Sequence, residues 1–216
     1  VRLAGTGISR EALGGAEKVK KLVDALFARV PAGVGSKGRV RLSPADEDRV
    51  MVRGAGWAVA QGYGTGDDLA VTEEGGCLAG ADPAAVSEKA RRRGREQQGT
   101  LGSGNHFMEV QYVEEVYDRE AAALFGLEEG TVTVMIHSGS RGLGHQVCTD
   151  SLAVMERAVR KYGIELPDRQ LACAPFRSPE GERYLAAMRC AANYAWANRQ
   201  CLMWWAREVM EAALHL

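Results

Sequence analysis

The sequence predicts a mixed α/β (α+β) fold in which helices flank a sheet. Apolar residues recur at helical spacing in 16–29 and again from 178 to the end of the chain. Two segments, 108–116 and 131–137, have the β-branched and aromatic composition of strands. Between them, 118–126 has the pattern of a short helix, so the order strand, helix, strand fits a mixed sheet with crossover helices.

In the first half of the chain, the opening VRLAG has the composition of a strand. A helix is predicted over 16–29, and the segment PAGVGSKG ends it. Ser-Pro-Ala-Asp at 43–46 resembles the cap and first turn of a helix that reaches about Gln61. Asp82-Pro83 repeats this signature for a helix ending near RRRGR, whereas GYGTGDD and EEGG are expected to be loops.

In the second half, a helix is predicted from about Gln146 to Tyr162, where Gly163 ends it. The last helix opens at the N-cap Ser178 and continues to the end of the chain without a C-cap. Because the chain opens inside a strand and ends inside a helix, we expect 1–216 to be a single-domain piece of a longer protein, truncated at both ends.

Length and composition are those of a soluble globular domain. The 216 residues suffice for one domain with a full core, and 46% apolar with 25% charged residues excludes the disordered class. The net charge of −1 argues against binding nucleic acid through bulk positive charge but leaves a local basic site possible. Five cysteines without a CxxC pair, no signal sequence and no long apolar run predict a cytoplasmic protein without membrane contact.

Two of the four histidines stand beside glycine-rich loops. His106 follows GTLGSGN at the start of the first predicted strand, and His137 ends the second strand before SGSRG. If these strands are neighbours, the two imidazoles converge at one edge of the sheet, where they could bind a metal. Two histidines are an incomplete set, because a catalytic metal usually has three or more protein ligands. Satisfied structural histidines remain the alternative.

The loop HSGSRG combines small residues, hydroxyl groups and Arg141. Backbone N–H groups, serine hydroxyls and a forked guanidinium together can hold a phosphate. A turn whose arginine pairs with a nearby carboxylate is the alternative. A serine hydrolase and a P-loop are excluded because neither G-x-S-x-G nor G-x-x-x-x-G-K-[ST] occurs.

The remaining candidates have mainly structural interpretations. The basic run Arg91–Arg95 fits a solvated helix C-terminus, with phosphates of a nucleic acid as the alternative partners. His145 is expected near a helix N-terminus, with support of the other histidines as the alternative, and His215 is assigned no role. Core packing is expected, rather than base stacking, for the aromatic side chains of the last helix, Tyr194, Trp196, Trp204 and Trp205.

Four ordered motifs resemble the RNA-splicing ligase family known as RtcB. They are PAGVGSKGR, GTLGSGNHFMEVQ, MIHSGSRGLGHQVCTD and NYAWANRQ, and the similarity extends over essentially all 216 residues. The resemblance implies an RtcB-like fold, with mixed sheets, flanking helices and one long C-terminal helix. It also implies an RNA ligase that uses GTP and manganese to join a 2′,3′-cyclic phosphate or 3′-phosphate end to a 5′-hydroxyl end, as in tRNA splicing and RNA repair.

The resemblance further implies roles for single residues. His106 and His137 would be manganese ligands, in a site expected to hold two manganese ions. The guanylate-contacting segment would comprise Asn105, His106, Phe107, Met108 and Glu109, with Asn105 as the direct phosphate partner. Arg141 would bind the terminal phosphate of the RNA, which would be a tRNA half or a broken RNA end. Whether an activating protein partner is needed stays open.

Parts of the family pattern are not found in the sequence. The Asp and Cys metal ligands of a D-x-G-C-G segment are expected before Val1, and a third histidine ligand and the nucleophilic histidine of C-H-G-A-G-R beyond Leu216. Cys77 and Cys148 stand in no matching motif and are not expected to replace them. We therefore expect the 216-residue chain alone to bind manganese weakly and not to ligate. A non-catalytic phosphate- or RNA-binding module and a metal-dependent phosphoesterase remain alternatives.

Overall fold

The computed structural model describes residues 1–168 and 170–214, which include three strands and eight α-helices. The strands are β1 (Arg2–Ser9), β2 (Phe107–Tyr112) and β3 (Thr131–His137). The helices are α1 (Ala16–Arg29), α2 (Pro44–Arg53), α3 (Ala55–Ala60), α4 (Gly66–Ala70), α5 (Glu88–Gly94), α6 (Arg119–Leu124), α7 (Arg141–Lys161) and α8 (Pro179–Leu214). Three 3₁₀ turns lie at Arg10–Leu13, Glu73–Gly76 and Pro83–Ala85. His215 lies outside the described residues.

The three strands form one sheet in the order β1-β3-β2, and both pairs are antiparallel. The predicted fold class, helices and a sheet with one long C-terminal helix, is confirmed. The predicted crossover between β2 and β3 is wrong. Hydrogen bonds from Val113 N to Thr131 O (2.9 Å) and from Gly130 N to Val113 O (2.7 Å) continue the antiparallel pairing beyond the strands. Strands β2 and β3 therefore form a hairpin, and helix α6 lies in the long loop that connects them.

Helix α1 has the predicted bounds, but only one side of its apolar pattern is covered. Leu22, Leu26 and the following Val30 are buried against the core. Val23 and Phe27, at the same helical spacing, are 52% and 80% exposed. The apolar periodicity predicted the helix correctly. It also predicted a wider buried face than the one that the described residues cover.

The helix predicted from Ser43 to about Gln61 is interrupted at Gly54. Ser43 caps α2 as expected, because its hydroxyl accepts a hydrogen bond from Asp46 N (3.2 Å). Gly54 has φ +51° and ψ −133°, and a Cβ there would collide with the carbonyl oxygen of Gly76. A close approach of two backbones, which the local sequence does not reveal, therefore divides the helix into α2 and α3.

Other predicted bounds also change. The helix predicted from Asp82 begins only at Glu88, after a new N-cap at Ser87 whose hydroxyl accepts from Ala90 N (3.1 Å). The predicted loop GYGTGDD contains the start of α4. Strand β2 ends at Tyr112 rather than near Val116.

Helix α7 begins at Arg141, five residues before the predicted start at Gln146. Its first turns contain Gly142 and Gly144, whose helix-breaking tendency argued for a loop. A Cβ at Gly144 would collide with Ser140 Oγ and touch Ala191 of α8. These glycines therefore allow close packing inside a helix rather than ending one.

Helix α8 is the centre of the core and packs against α1, α2, α3 and α7. Tyr194 and Trp205 are 1% and 2% exposed, and Trp204 is half-buried against the core, so the predicted core role is confirmed for these three. Trp196 is half-buried. The Tyr194 hydroxyl donates to Gly94 O (2.7 Å) and joins α8 to α5. No helix within the described ranges is both long enough and apolar enough to cross a bilayer.

Candidate functional site

The antiparallel pairing of β2 and β3 brings His106 and His137 to the same edge of the sheet. Phe107 pairs with His137 in the register, so His106 lies directly beside the end of β3. The two imidazole centroids are 5.9 Å apart, with the ring planes at 84°. The Phe107 ring packs edge-on against His137 at 5.3 Å. The predicted convergence of the two histidines is confirmed, and it arises from residues thirty-one positions apart in the sequence.

Arg141, the first residue of α7, reaches the same edge. It has φ +54°, one of two positive values among the non-glycine residues described. Its Nε donates to Thr100 Oγ1 (2.9 Å), and its Nη1 lies 3.5 Å from His106 Nδ1. Its partners are thus a hydroxyl and an imidazole, not the carboxylate that the alternative interpretation of the HSGSRG loop required. Among the described residues the Arg141 side chain makes no further hydrogen bond, so N–H groups of its guanidinium are available to an anion.

The electrostatic surroundings favour a neutral His106. Burial lowers its pKa from the usual 6.5, and the charges of Arg141 and His137 lower it further. A neutral imidazole has a free lone pair, which is the form that binds a metal.

The backbone of the loop 99–105 closes tightly around these side chains. Gly102 has φ +114°, and a Cβ at this position would collide with His106 Nδ1 and Arg141 Nη1. The PAGVGSKG loop lies against the same backbone, with hydrogen bonds from Leu101 N to Pro31 O (2.9 Å) and from Gly33 N to Gly102 O (2.7 Å). Two of the glycine-rich motifs of the sequence are therefore adjacent in space.

The ligand set for a metal is incomplete in the described part of the chain. Residues 1–168 and 170–214 contain no group of three or more His, Cys, Asp or Glu side chains placed to hold a metal ion. Cys77 donates to Val52 O (3.0 Å), and neither Cys77 nor Cys148 joins the histidines in such a group. Two imidazoles at one edge fit part of the coordination of a divalent transition metal.

A family model described as tRNA-splicing ligase RtcB matches residues 1–216 of the chain. The chain belongs to the RtcB family. A tRNA-splicing ligase RtcB from Archaeoglobus fulgidus is 62% identical over 196 residues, which cover 91% of this chain and 41% of the relative. Proteins of the same name from Methanocaldococcus jannaschii and Thermococcus kodakarensis are each 56% identical over 211 residues, 98% of this chain. These matches cover 22% and 43% of the relatives, so the chain spans less than half of their length.

The segment that resembles the RtcB guanylate contact, Asn105 to Glu109, lies partly at the site and partly in the core. Asn105 is exposed beside His106, and Glu109 is exposed further along β2. Met108 packs against the apolar core because alternate residues of a strand face opposite sides of the sheet. The side chain of Met108 is therefore turned into the core, whereas Asn105 is exposed to solvent.

The basic run of this RtcB-family chain contacts side chains of neighbouring helices. Three of its arginines join α5 to neighbouring helices. The pairs are Arg91 with Asp48 (2.6 Å), Arg93 with Gln146 (2.9 Å) and Arg95 with Glu47. The run lies at the C-terminus of α5 as predicted, with Arg92 and Arg93 exposed. The half-buried Arg91 and Arg95 are in addition held by carboxylates of α2, which the prediction did not include. His145 lies in the second turn of α7, near its N-terminus as predicted, and its Nδ1 is 3.3 Å from Arg93 Nη1.

Sequence reasoning missed the residues that hold the two site loops together. Ser138 Oγ donates to Leu101 O (2.7 Å) and thereby links the loop after β3 to the loop before β2. Asn198 of α8 contacts both loops and is fully buried. Asn198 belongs to the NYAWANRQ motif, which helped to identify the family resemblance but to which the resemblance assigned no role.

Proposed function

We propose that this chain supplies part of the active centre of a GTP- and manganese-dependent RNA ligase. The reaction joins an RNA 2′,3′-cyclic phosphate or 3′-phosphate end to a 5′-hydroxyl end, in tRNA splicing or RNA repair. The observation that carries the proposal is the convergence of His106, His137 and Arg141 at one edge of the sheet. Membership of the RtcB family and relatives named tRNA-splicing ligase support it.

In this proposal, His106 and His137 hold a metal through their imidazole nitrogens. The lowered pKa of His106 keeps its lone pair available near neutral pH. Imidazole suits several divalent metals, so the choice of manganese rests on the resemblance to the family. When bound, the metal would polarise phosphoryl oxygens and neutralise their charge. The further ligands would come from the D-x-G-C-G segment and the third histidine that the resemblance places outside the described residues.

Arg141 would bind the terminal phosphate of the RNA. Its fork of N–H donors matches phosphate oxygens, and it stands at the N-terminus of the 21-residue helix α7, where the helix dipole favours an anion. Gly102 lets His106 and Arg141 lie side by side, because a side chain at this position would collide with both. Asn105, exposed beside His106, would contact the guanylate phosphate.

The finer mechanism follows the family resemblance. The histidine of a C-H-G-A-G-R segment would attack the α-phosphate of GTP and release pyrophosphate. The guanylate would then pass to the RNA 3′-phosphate, and the 5′-hydroxyl would attack this activated phosphate and release GMP. The described residues would position the phosphoryl groups for these transfers, which is the main contribution of a protein to phosphoryl transfer.

The test uses the full-length gene product with GTP, Mn²⁺ and two RNAs, one ending in a 2′,3′-cyclic phosphate and one beginning with a 5′-hydroxyl. His106→Ala and His137→Ala are expected to lower the rate of joining by on the order of 100-fold or more, since each removes a metal ligand. His145→Ala is the matched control, because it removes an exposed imidazole whose ring contacts Arg93 rather than the site, and joining should persist.

Three outcomes would contradict the proposal. Equal joining by the wild type and His106→Ala would remove the histidine pair from the reaction. Opening of the cyclic phosphate without joining would favour a phosphoesterase. RNA binding without any change to the RNA ends would favour a non-catalytic binding module.

A further inference from the structure

Asn198 occupies a buried position in the middle of α8, with no exposed surface. Its side-chain oxygen faces the loop that precedes His106. Asn198 Oδ1 accepts hydrogen bonds from Gly99 N (2.7 Å) and Thr100 N (3.1 Å). Both lone pairs of the oxygen are therefore used by the backbone of a single loop.

The side-chain nitrogen of Asn198 contacts both site loops. Asn198 Nδ2 donates to Thr100 O (3.0 Å) in the first loop. In the second loop it lies 3.1 Å from Ser138 Oγ and 3.3 Å from Gly139 O. One amide group thus bridges the backbone before β2 and the backbone after β3.

These two loops carry the candidate site residues. The first loop leads from Thr100 to His106, and the second leads from His137 to Arg141. They also contact each other through the hydrogen bond from Arg141 Nε to Thr100 Oγ1 (2.9 Å). Thr100 therefore meets Asn198 through its backbone and Arg141 through its side chain.

We propose that Asn198 is a positioning residue, whose amide sets the relative placement of His106, His137 and Arg141. The role needs a donor and an acceptor at fixed positions on one flat group, which an asparagine supplies. An ionised aspartate has nearly the same shape but only acceptors, so it would turn a negative oxygen toward the carbonyls of Thr100 and Gly139. The consequence for catalysis rests on the proposed function, whereas the geometry can be tested without metal or RNA.

The chain offers a matched control in Asn193, five residues earlier on the same helix. Asn193 is also fully buried. Its Oδ1 accepts from Leu78 N (2.7 Å), and its Nδ2 donates to Met51 O (2.8 Å) and Leu78 O (3.1 Å). An Asn→Asp change at either position breaks the same kind of hydrogen bonds. Asn193 bonds to neither site loop, so a general loss of stability can be separated from a loss of site geometry.

The first experiment compares Asn198→Asp with Asn193→Asp in the metal-free full-length protein. The imidazole ring signals are recorded by NMR and assigned with His106→Ala and His137→Ala. Asn198→Asp is expected to shift the His106 and His137 signals, whereas Asn193→Asp leaves both in place. Unchanged signals in Asn198→Asp, or equal shifts in both variants, overturn the proposal. If Asn198→Asp does not fold, Asn198→Ser and Asn193→Ser carry the same comparison.

The second experiment measures Mn²⁺ affinity by titration of the same folded proteins. Asn198→Asp is expected to weaken binding by about 10- to 100-fold, the range found when a group that orients metal ligands is lost. Asn193→Asp should bind like the wild type, and unchanged affinity in Asn198→Asp overturns the proposal. A wild type that does not bind Mn²⁺ contradicts the proposed function instead, and the ring signals then decide the role of Asn198 alone.

Discussion

Gly102 shapes the candidate site through the side chain that it lacks. Its φ of +114° favours glycine, and a Cβ would overlap His106 Nδ1 and Arg141 Nη1. Gly104, two residues later, also has a positive φ, +71°, but a Cβ there would have nothing within 4 Å. Both positions have a positive φ, but only at Gly102 would a side chain collide with its neighbours. Alanine substitutions at the two positions therefore distinguish the cost of the backbone conformation from the cost of the collision.

Gly102→Ala is expected to disturb the site, and Gly104→Ala is expected to leave it intact. The added methyl at Gly102 would push His106 and Arg141 apart and lower the free energy of unfolding by about 2 kcal/mol or more. Gly104→Ala carries only the backbone cost, about 1 kcal/mol. Urea unfolding gives the stabilities, and RNA joining by the full-length protein gives the effect on the site. Equal joining by both variants would show that the contact around Gly102 does not matter.

Helix boundaries depend on close backbone contacts as well as on local propensity. The break at Gly54 separates α2 from α3 because the backbone of Gly76 lies against it. Gly56, two residues later, lies inside α3, and a Cβ there would meet nothing within 4 Å. The same substitution at these two glycines should therefore change stability in opposite directions.

Gly54→Ala is expected to lower the free energy of unfolding by at least about 2 kcal/mol, because the methyl group would collide with Gly76 O. Gly56→Ala is expected to raise it by about 0.5–1 kcal/mol, since alanine loses less backbone entropy in a helix. Chemical denaturation of the two variants and the wild type measures both changes. Destabilisation of similar size in both variants would contradict the assigned helix break.

A buried carboxylate joins distant parts of the molecule. Asp68 of α4 is 3% exposed and accepts hydrogen bonds from Arg207 Nη1 (2.9 Å) and Gln200 Nε2 (3.1 Å), both on α8. Arg2 of β1 lies 3.6 Å from it. Burial alone would raise the pKa of Asp68, but hydrogen bonds from Arg207 and Thr65 N and the charges of Arg207 and Arg2 outweigh burial and hold it at about 2.

This network predicts an acid-sensitive part of the stability. Because the folded pKa of Asp68, about 2, lies below the usual 3.8, its contribution is complete above about pH 4 and is lost as the pH falls toward 2. Asp68→Asn should cost about 3 kcal/mol at pH 7, since it leaves the arginines without their partner. The difference between the variant and the wild type should shrink at acidic pH. Urea unfolding at several pH values measures this, with the exposed neighbour Asp67→Asn as the control.

Local patterns predicted the elements that depend on neighbouring residues. Helix α1 has the predicted bounds, and β3 covers the predicted segment 131–137. The His106–His137 pair was predicted only on the condition that β2 and β3 are neighbours, which the register confirms. The internal ion pairs of Arg91 and Arg95 were not predicted, because their partners lie more than forty positions away.

By itself, the sequence determined the fold class, the long helices, the strand segments and the motifs of the RtcB family, because helical period, strand composition and motif spacing are local properties of the chain. Only the tertiary structure decided the antiparallel pairing, the break at Gly54 and the contacts of Asn198 with both site loops. Each depends on the approach of segments that are far apart in sequence, such as α8 against both site loops. Tertiary packing determines which backbone segments come into contact, and local sequence patterns do not contain this information.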